Sequence, residues 1–316
     1  MAYNGSGTFP NGWLAFELGV LRRLKFNSVA IPITGEPDLC IHLKRGNVRV
    51  AANDPLIWPF TKATALVENS SELLTEDDLN VILDDAYAPG ERLDNPSLAK
   101  RFSELDAWWL DNVRRNAGRL ESFYKQSLAL TCGMMVGNYV FAFDEQTRTL
   151  RKPLSLSNVF RQMVSLLPRP YDNAARNLSM NQDLRNFIAE RQHTELLFLK
   201  LPTPVIQSEP SREIPAIWRE EWLRGGDDFW SEFEKQRAGK LGAPVQSKQQ
   251  YLGFVEDLLR TAAHIPIWAI AHTENGFISG DELVDTVRRL RRVSAIYTKD
   301  FSDLLGVRAS IITAGG

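Results

Sequence analysis

Apolar residues along this chain gather in short unbroken runs separated by polar, helix-periodic segments. Val29-Ala-Ile-Pro-Ile-Thr34 and Val48-Arg-Val-Ala-Ala52 predict two short buried strands, and the segment from Asp38 to Lys44 between them is compatible with a helix. Strand, crossover and strand is the arrangement that a parallel sheet requires. Leu196 to Lys200, Ile265 to Ala271, Val293 to Tyr297 and Ser310 to Thr313 supply four more candidate strands. Helical patterns from Arg219 to Lys240, Lys248 to Ala263 and Asp281 to Arg291 alternate with them. The alternation predicts an α/β, Rossmann-like fold with one mixed, mostly parallel sheet of about seven strands. The second strand ends in Asn53-Asp54-Pro55, which leaves an acid at the edge where open α/β sheets bind ligands.

From residue 75 to 180 the pattern turns largely helical. Thr75, with Asp78 three positions on, reads as an N-cap, and Pro89, Gly90 and Pro96 punctuate the stretch. Leu105, Trp108, Trp109, Val113 and Leu120 fall near helical spacing, with Arg114, Arg115, Arg119 and Lys125 between them. This pattern suits a core stripe with a solvated basic face, and those four cations are also the candidates for DNA phosphate contacts. Tyr139 to Leu150 reads as a hairpin turning at Asp144-Glu-Gln. The expected organisation is thus a core of residues 1–74 and 181–316 with a helical insertion, 75–180. Trp218, Trp222 and Trp230 recur with Phe229 and Phe233 near helical spacing, as core packing or a partner groove would have them.

Composition narrows the chemistry. With 37 basic and 39 acidic residues among 316, any nucleic-acid contact has to come from a local patch. No apolar run approaches the roughly 20 residues that a bilayer demands. Met1-Ala-Tyr-Asn-Gly-Ser-Gly7 lacks the basic start and apolar stretch of a cleaved signal, so a cytoplasmic location is expected. Cys40 and Cys132 sit in apolar surroundings, and His42, His193, His264 and His272 are scattered, so no metal site is expected. Arg288-Arg-Leu-Arg-Arg292 suits a helix end, where cations meet the macrodipole.

Several segments carry a family resemblance by their order: Tyr3-Asn-Gly-Ser-Gly7, Ile31-Pro-Ile-Thr-Gly-Glu-Pro37, Ala52-Asn-Asp-Pro55, Leu130 to Asn138, Asn181 to Phe187, Leu196 to Val205, and in the tail Ala263 to Ile270 and then Lys299 to Gly306. Over nearly the whole chain this order resembles the Dam-like DNA adenine methyltransferases. The first segment is similar to that family's Tyr-x-Gly-Ser/Gly-Lys opening, the second to Glu-Pro-Phe-x-Gly-x-Gly and the third to Asn-Asp-x-Asn. Leu130-Thr-Cys-Gly-Met-Met-Val-Gly-Asn138 resembles the Arg-Thr-Cys-Phe-Asn-Gly motif of the family's target-recognition region. The resemblance implies a methyltransferase fold and S-adenosylmethionine as cofactor, with Tyr3, Gly5, Gly35, Asp54 and Asp183 at its binding positions. Gly35 would lie beside the methionine part, Asp54 would meet the ribose hydroxyls, and Asp183 the adenine amino group.

Departures from the family pattern concentrate at the chemistry. Ile31 replaces the acid that engages the cofactor's ammonium, Glu36 adds bulk and charge beside the expected carboxylate, and Pro37 lacks an N–H. At the catalytic turn the family's Asp-Pro-Pro-Tyr becomes Leu201-Pro202-Thr203-Pro204, without a side-chain acceptor for the target amine or an aromatic platform for a flipped base. Three readings follow. The leading one is a catalytically degenerate adenine-methyltransferase-like protein that uses no cofactor. It would bind double-stranded DNA, or a partner such as an active methyltransferase paralogue, in a modification or defence context. The second is an active S-adenosylmethionine-dependent adenine methyltransferase with a divergent site, and the third a scaffold without a nucleic-acid role.

Overall fold

A computed structural model describes residues 12–143, 154–205, 217–274, 276–301 and 307–315. The strands are β1 (Ser28–Ile31), β2 (Arg49–Asn53), β3 (Leu178–Met180), β4 (Leu196–Lys200), β5 (Ile267–Glu274), β6 (Val293–Phe301) and β7 (Val307–Gly315). They form one seven-stranded sheet in the order β3-β2-β1-β4-β5-β7-β6. From β3 to β5 all neighbours are parallel, and β7 runs antiparallel to both β5 and β6. The fold is α/β and Rossmann-like. Strand order reverses between β1 and β4, which places a topological switch point at their carboxyl ends.

The helices are α1 (Trp13–Leu21), α2 (Asp38–Arg45), α3 (Ile57–Ala63), α4 (Glu76–Leu83), α5 (Glu104–Ala117), α6 (Phe123–Phe141), α7 (Leu156–Leu166), α8 (Leu184–Ala189), α9 (Ile217–Arg224), α10 (Trp230–Arg237), α11 (Lys248–Thr261) and α12 (Gly280–Arg288). Central strands are buried on both faces, so their residues alternate between two cores. Leu197 and Leu199 pack with residues of α8, α11 and α12, while Leu196 and Phe198 pack with residues of α1 and α2. β6 alternates exposed and half-buried positions, as an edge strand with a solvated face does.

Helices α4 to α7 lie between β2 and β3 in the chain and share a third core with α9, centred on Trp109, Trp218 and Trp222. Thr75 and Asp78 form the expected capping box at the start of α4. Gly133 and Gly137 on α6 seat the two α9 tryptophans. A Cβ would stand 2.3 Å from the Trp222 ring at Gly133 and 2.2 Å from the Trp218 ring at Gly137. Trp109 and Val113 are fully buried as the helical stripe requires, whereas Leu105 is exposed.

Two sequence expectations are corrected. Tyr139 to Phe141 are not a strand but the last turn of α6, where the helix pattern of the preceding residues carries on; residues 144–150 of that hairpin lie outside the described residues. Leu178–Met180, inside the expected 75–180 insertion, is the edge strand of the main sheet, because its backbone completes the parallel ladder beside β2.

Candidate functional site

The carboxyl ends of β1 and β2 are laced together by their own polar groups. Thr34 donates its N–H and its hydroxyl to the Asn53 carbonyl at 3.0 and 2.9 Å, and Asn53 Nδ2 donates to the Pro32 carbonyl at 3.0 Å. Gly35, in the left-handed region at φ 55°, turns its N–H onto Asp54 Oδ2 at 3.0 Å. The other oxygen, Oδ1, accepts from the Leu56 N–H at 3.0 Å. Both Asp54 oxygens are therefore committed within the loops, and burial pushes its carboxyl up to about 7 in spite of those donors.

Beyond Gly35 the chain places Glu36 in a buried ion-pair group. Lys62 on α3 donates to its Oε2, and Arg219 on α9 to its Oε1 at 2.9 Å. Arg219 is 2% exposed, lies over the Trp58 ring at 4.8 Å and donates through Nε to Asn138 of α6 at 3.1 Å. Burial opposes ionisation of Glu36, but Lys62 and Arg219 outweigh it and hold the carboxyl below its usual range. Glu220, next along α9, accepts the Ile57 N–H at 2.9 Å and the Trp58 N–H at 3.1 Å, so it caps the first turn of α3 from outside that helix.

Asp183 caps α8: its Oδ1 accepts the Arg185 and Asn186 N–H groups at 3.0 and 3.4 Å, and its Oδ2 accepts from Lys240 at 2.8 Å. Partial burial opposes its charge, while Lys240 and the two N–H groups depress its pKa. At the expected catalytic turn Leu201 is buried in the apolar core and donates its N–H to Ala271. The Pro202 carbonyl accepts the Tyr251 hydroxyl at 2.7 Å, and Thr203 is exposed. Pro204 is half-buried, and Tyr3 and Gly5 lie outside the described residues.

The four cations expected to meet DNA are each paired with a carboxylate: Arg114 with Asp111 at 3.8 Å, Arg115 with Asp94 at 2.9 Å, Arg119 with Asp84 at 3.0 Å and Lys125 with Asp78 at 2.8 Å. They are not an unpaired cationic face. In the 288–292 cluster, Arg289 meets Glu256 at 2.8 Å, and Arg291 donates to three carbonyls and lies over Trp268 at 4.0 Å. Among the described residues no group of three or more His, Cys, Asp or Glu side chains is placed to hold a metal, and no helix is long and apolar enough to cross a membrane.

An open cavity of about 440 Å³ adjoins this edge where β2 and β3 end. Pro55 and Asn181 to Asp183 line one side, and Phe229, Phe233, Arg237 and Lys240, from α10 and its flanks, the other. The chain matches no protein-family model and no curated protein. The site is thus defined by its geometry.

Sequence reasoning singled out Glu36, Asp54 and Asp183 but missed Lys62, Arg219, Glu220 and Arg237. Lys62 and Arg219 stand 26 and 183 positions from Glu36, and no local spacing links them. Glu220 is one acid in a charged helix. The only signal for Arg237 was its place behind an aromatic run.

Proposed function

We propose that this chain is a catalytically silent protein of the adenine-methyltransferase type, acting by binding and not by methyl transfer. The single observation that carries the reading is the Glu36–Lys62–Arg219 group directly after Gly35. A methionine moiety there needs an acceptor for its ammonium, donors for its carboxylate and open backbone. Ile31 has no acceptor, Pro37 has no N–H, Asp54 is engaged by Gly35 and Leu56, and Glu36 is engaged by two cations. These residues do not fit S-adenosylmethionine. The catalytic turn agrees, since Leu201 gives its side chain to the core and so has nothing to offer a target amine.

Of the two binding roles, contact with a partner protein, such as an active paralogue, is the better supported. Non-specific DNA affinity rests on cations that release counterions. The four candidates already face carboxylates. Calorimetry with S-adenosylhomocysteine and tritium transfer to duplex DNA test the reading together. The expected result is no binding below about 1 mM and no incorporation. A low-micromolar dissociation constant, or incorporation abolished by Asp183→Ala, would establish an active enzyme instead.

A further inference from the structure

Charges around the open cavity at the ends of β2 and β3 are mostly accounted for. Arg224 meets Glu220 at 2.8 Å, Lys240 meets Asp183 at 2.8 Å, and Glu232 is 65% exposed at the rim. Arg237 is the exception. Its guanidinium lies over the Phe233 ring at 5.0 Å, and among the described residues no carboxylate stands within ion-pair distance of it. The acids whose fields reach it are Asp54 and Glu234, and burial lowers its proton affinity. Arg237 is half-buried on the wall of the open cavity, where its guanidinium can meet an anionic ligand through charge-assisted hydrogen bonds.

The cavity wall suits a flat ring as well as an anion. Phe229 and Phe233 each carry an arginine, Arg224 at 4.5 Å and Arg237 at 5.0 Å, and such ring and guanidinium planes stack nucleobases. Gln182 also lines the cavity, and its Oε1 is without a hydrogen-bond partner among the described residues; a turn of the amide would offer it to a ligand's amino or hydroxyl group. A space of about 440 Å³ is of small-molecule size.

We propose that this cavity binds a nucleoside monophosphate, with the phosphate on Arg237 and the base against half-buried Phe229, while Phe233 is buried beneath the Arg237 guanidinium. The inference rests on the reading above, in which the part of the edge beside Gly35 is closed to a sulfonium cofactor while the part beyond Asp183 stays open. A planar two-pronged donor recognises phosphate better than a point charge does, so a lysine at 237 is not equivalent.

Calorimetry on the full chain with adenosine monophosphate, adenosine and inorganic phosphate tests it. The monophosphate is expected to bind at least about tenfold more tightly than either of the others, since it makes both sets of contacts. Arg237→Gln removes the advantage over adenosine, Arg237→Lys restores part of it, and Phe229→Ala weakens adenosine and the monophosphate alike. Circular dichroism and the melting temperature of each variant establish that it is folded. Absence of monophosphate binding below about 5 mM, an unchanged affinity in folded Arg237→Gln, or phosphate binding as tightly as the nucleotide overturns the proposal. S-adenosylhomocysteine in the same cell separates the two readings. If it and the monophosphate are both silent, only the nucleotide site falls; micromolar S-adenosylhomocysteine binding removes the closed-site reading beneath it.

Discussion

Replacing Glu36 with alanine should be among the most damaging single changes in the chain. The substitution leaves Lys62 and Arg219, whose side chains are 11% and 2% exposed, facing each other without an anion. Removing one member of a buried ion pair typically costs about 3–5 kcal/mol, because the remaining charge stays desolvated. Asn138 and the Trp58 ring still support Arg219, which argues for the lower half of that range. With a urea m-value of roughly 3 kcal/mol/M, the unfolding midpoint should fall by about 1 M or more. The loss also has a pH signature. The folded-state pKa of Glu36 is depressed, so its contribution is present above its ordinary value of 4.5 and is lost as pH falls through the folded value. Equilibrium unfolding at pH 7 and again in acid therefore gives a difference between wild type and Glu36→Ala that shrinks on acidification. A loss below about 1 kcal/mol at neutral pH, or additivity with Arg219→Ala in a double-mutant cycle, would refute the ion-pair account of this loop.

Asp54 should act in the opposite sense. Its carboxyl is raised to about 7 by burial, so the stability that it contributes is complete below its ordinary 3.8 and is lost as pH rises through 7, at up to about 1.4 kcal/mol per pH unit; Asp54→Asn should flatten the stability curve across that window, and a wild-type slope in the variant would refute the assignment. Gly137→Ala drives a methyl to 2.2 Å from the Trp218 ring and should cost at least about 1–3 kcal/mol in thermal or urea unfolding, where a neutral result would show that α9 can shift away. Leu201→Asp with Thr203→Pro and Pro204→Tyr should yield no methyl transfer and a less stable protein, since position 201 faces the apolar core; tritium incorporation into DNA would overturn that.

The sheet was legible where its strands are wholly buried. Residues 29–31 and 196–199 are apolar throughout because both faces meet helices, and such runs stand out without any alternation. β3 was not legible: Leu178–Met180 is three half-buried residues, held in the sheet by backbone pairing with Ala51 to Asn53, which leaves no hydrophobic pattern. The hairpin expected at Tyr139 failed for a related reason. Tyr-Val-Phe has strong β-propensity, yet tertiary packing of α6 around Trp218 carries the helix through it. The Thr75 and Asp78 cap, by contrast, is a local arrangement of four residues, and local chemistry is what a sequence displays.

The candidate site divides along the same line. Asp54 was visible as an acid at a strand end and Asp183 only through the family resemblance, but what each does is decided by donors that arrive from elsewhere: the Gly35 N–H 19 positions earlier for Asp54, and Lys240 57 positions later for Asp183. The loop after β1 is likewise fixed by α3 and α9, and α9 is fixed to α6 by two tryptophans seated on two glycines. Clearing the space beside Gly35 therefore takes more than placing a glycine at 36. Lys62 and Arg219 would remain as buried cations, and relieving them means moving α9 out of the groove that Gly133 and Gly137 provide. The charges after Gly35 also hold three helices together, so exchanging one of them disturbs more than that loop, whereas the cavity under α10 is open as it stands and is lined by Arg237, which meets no carboxylate among the described residues.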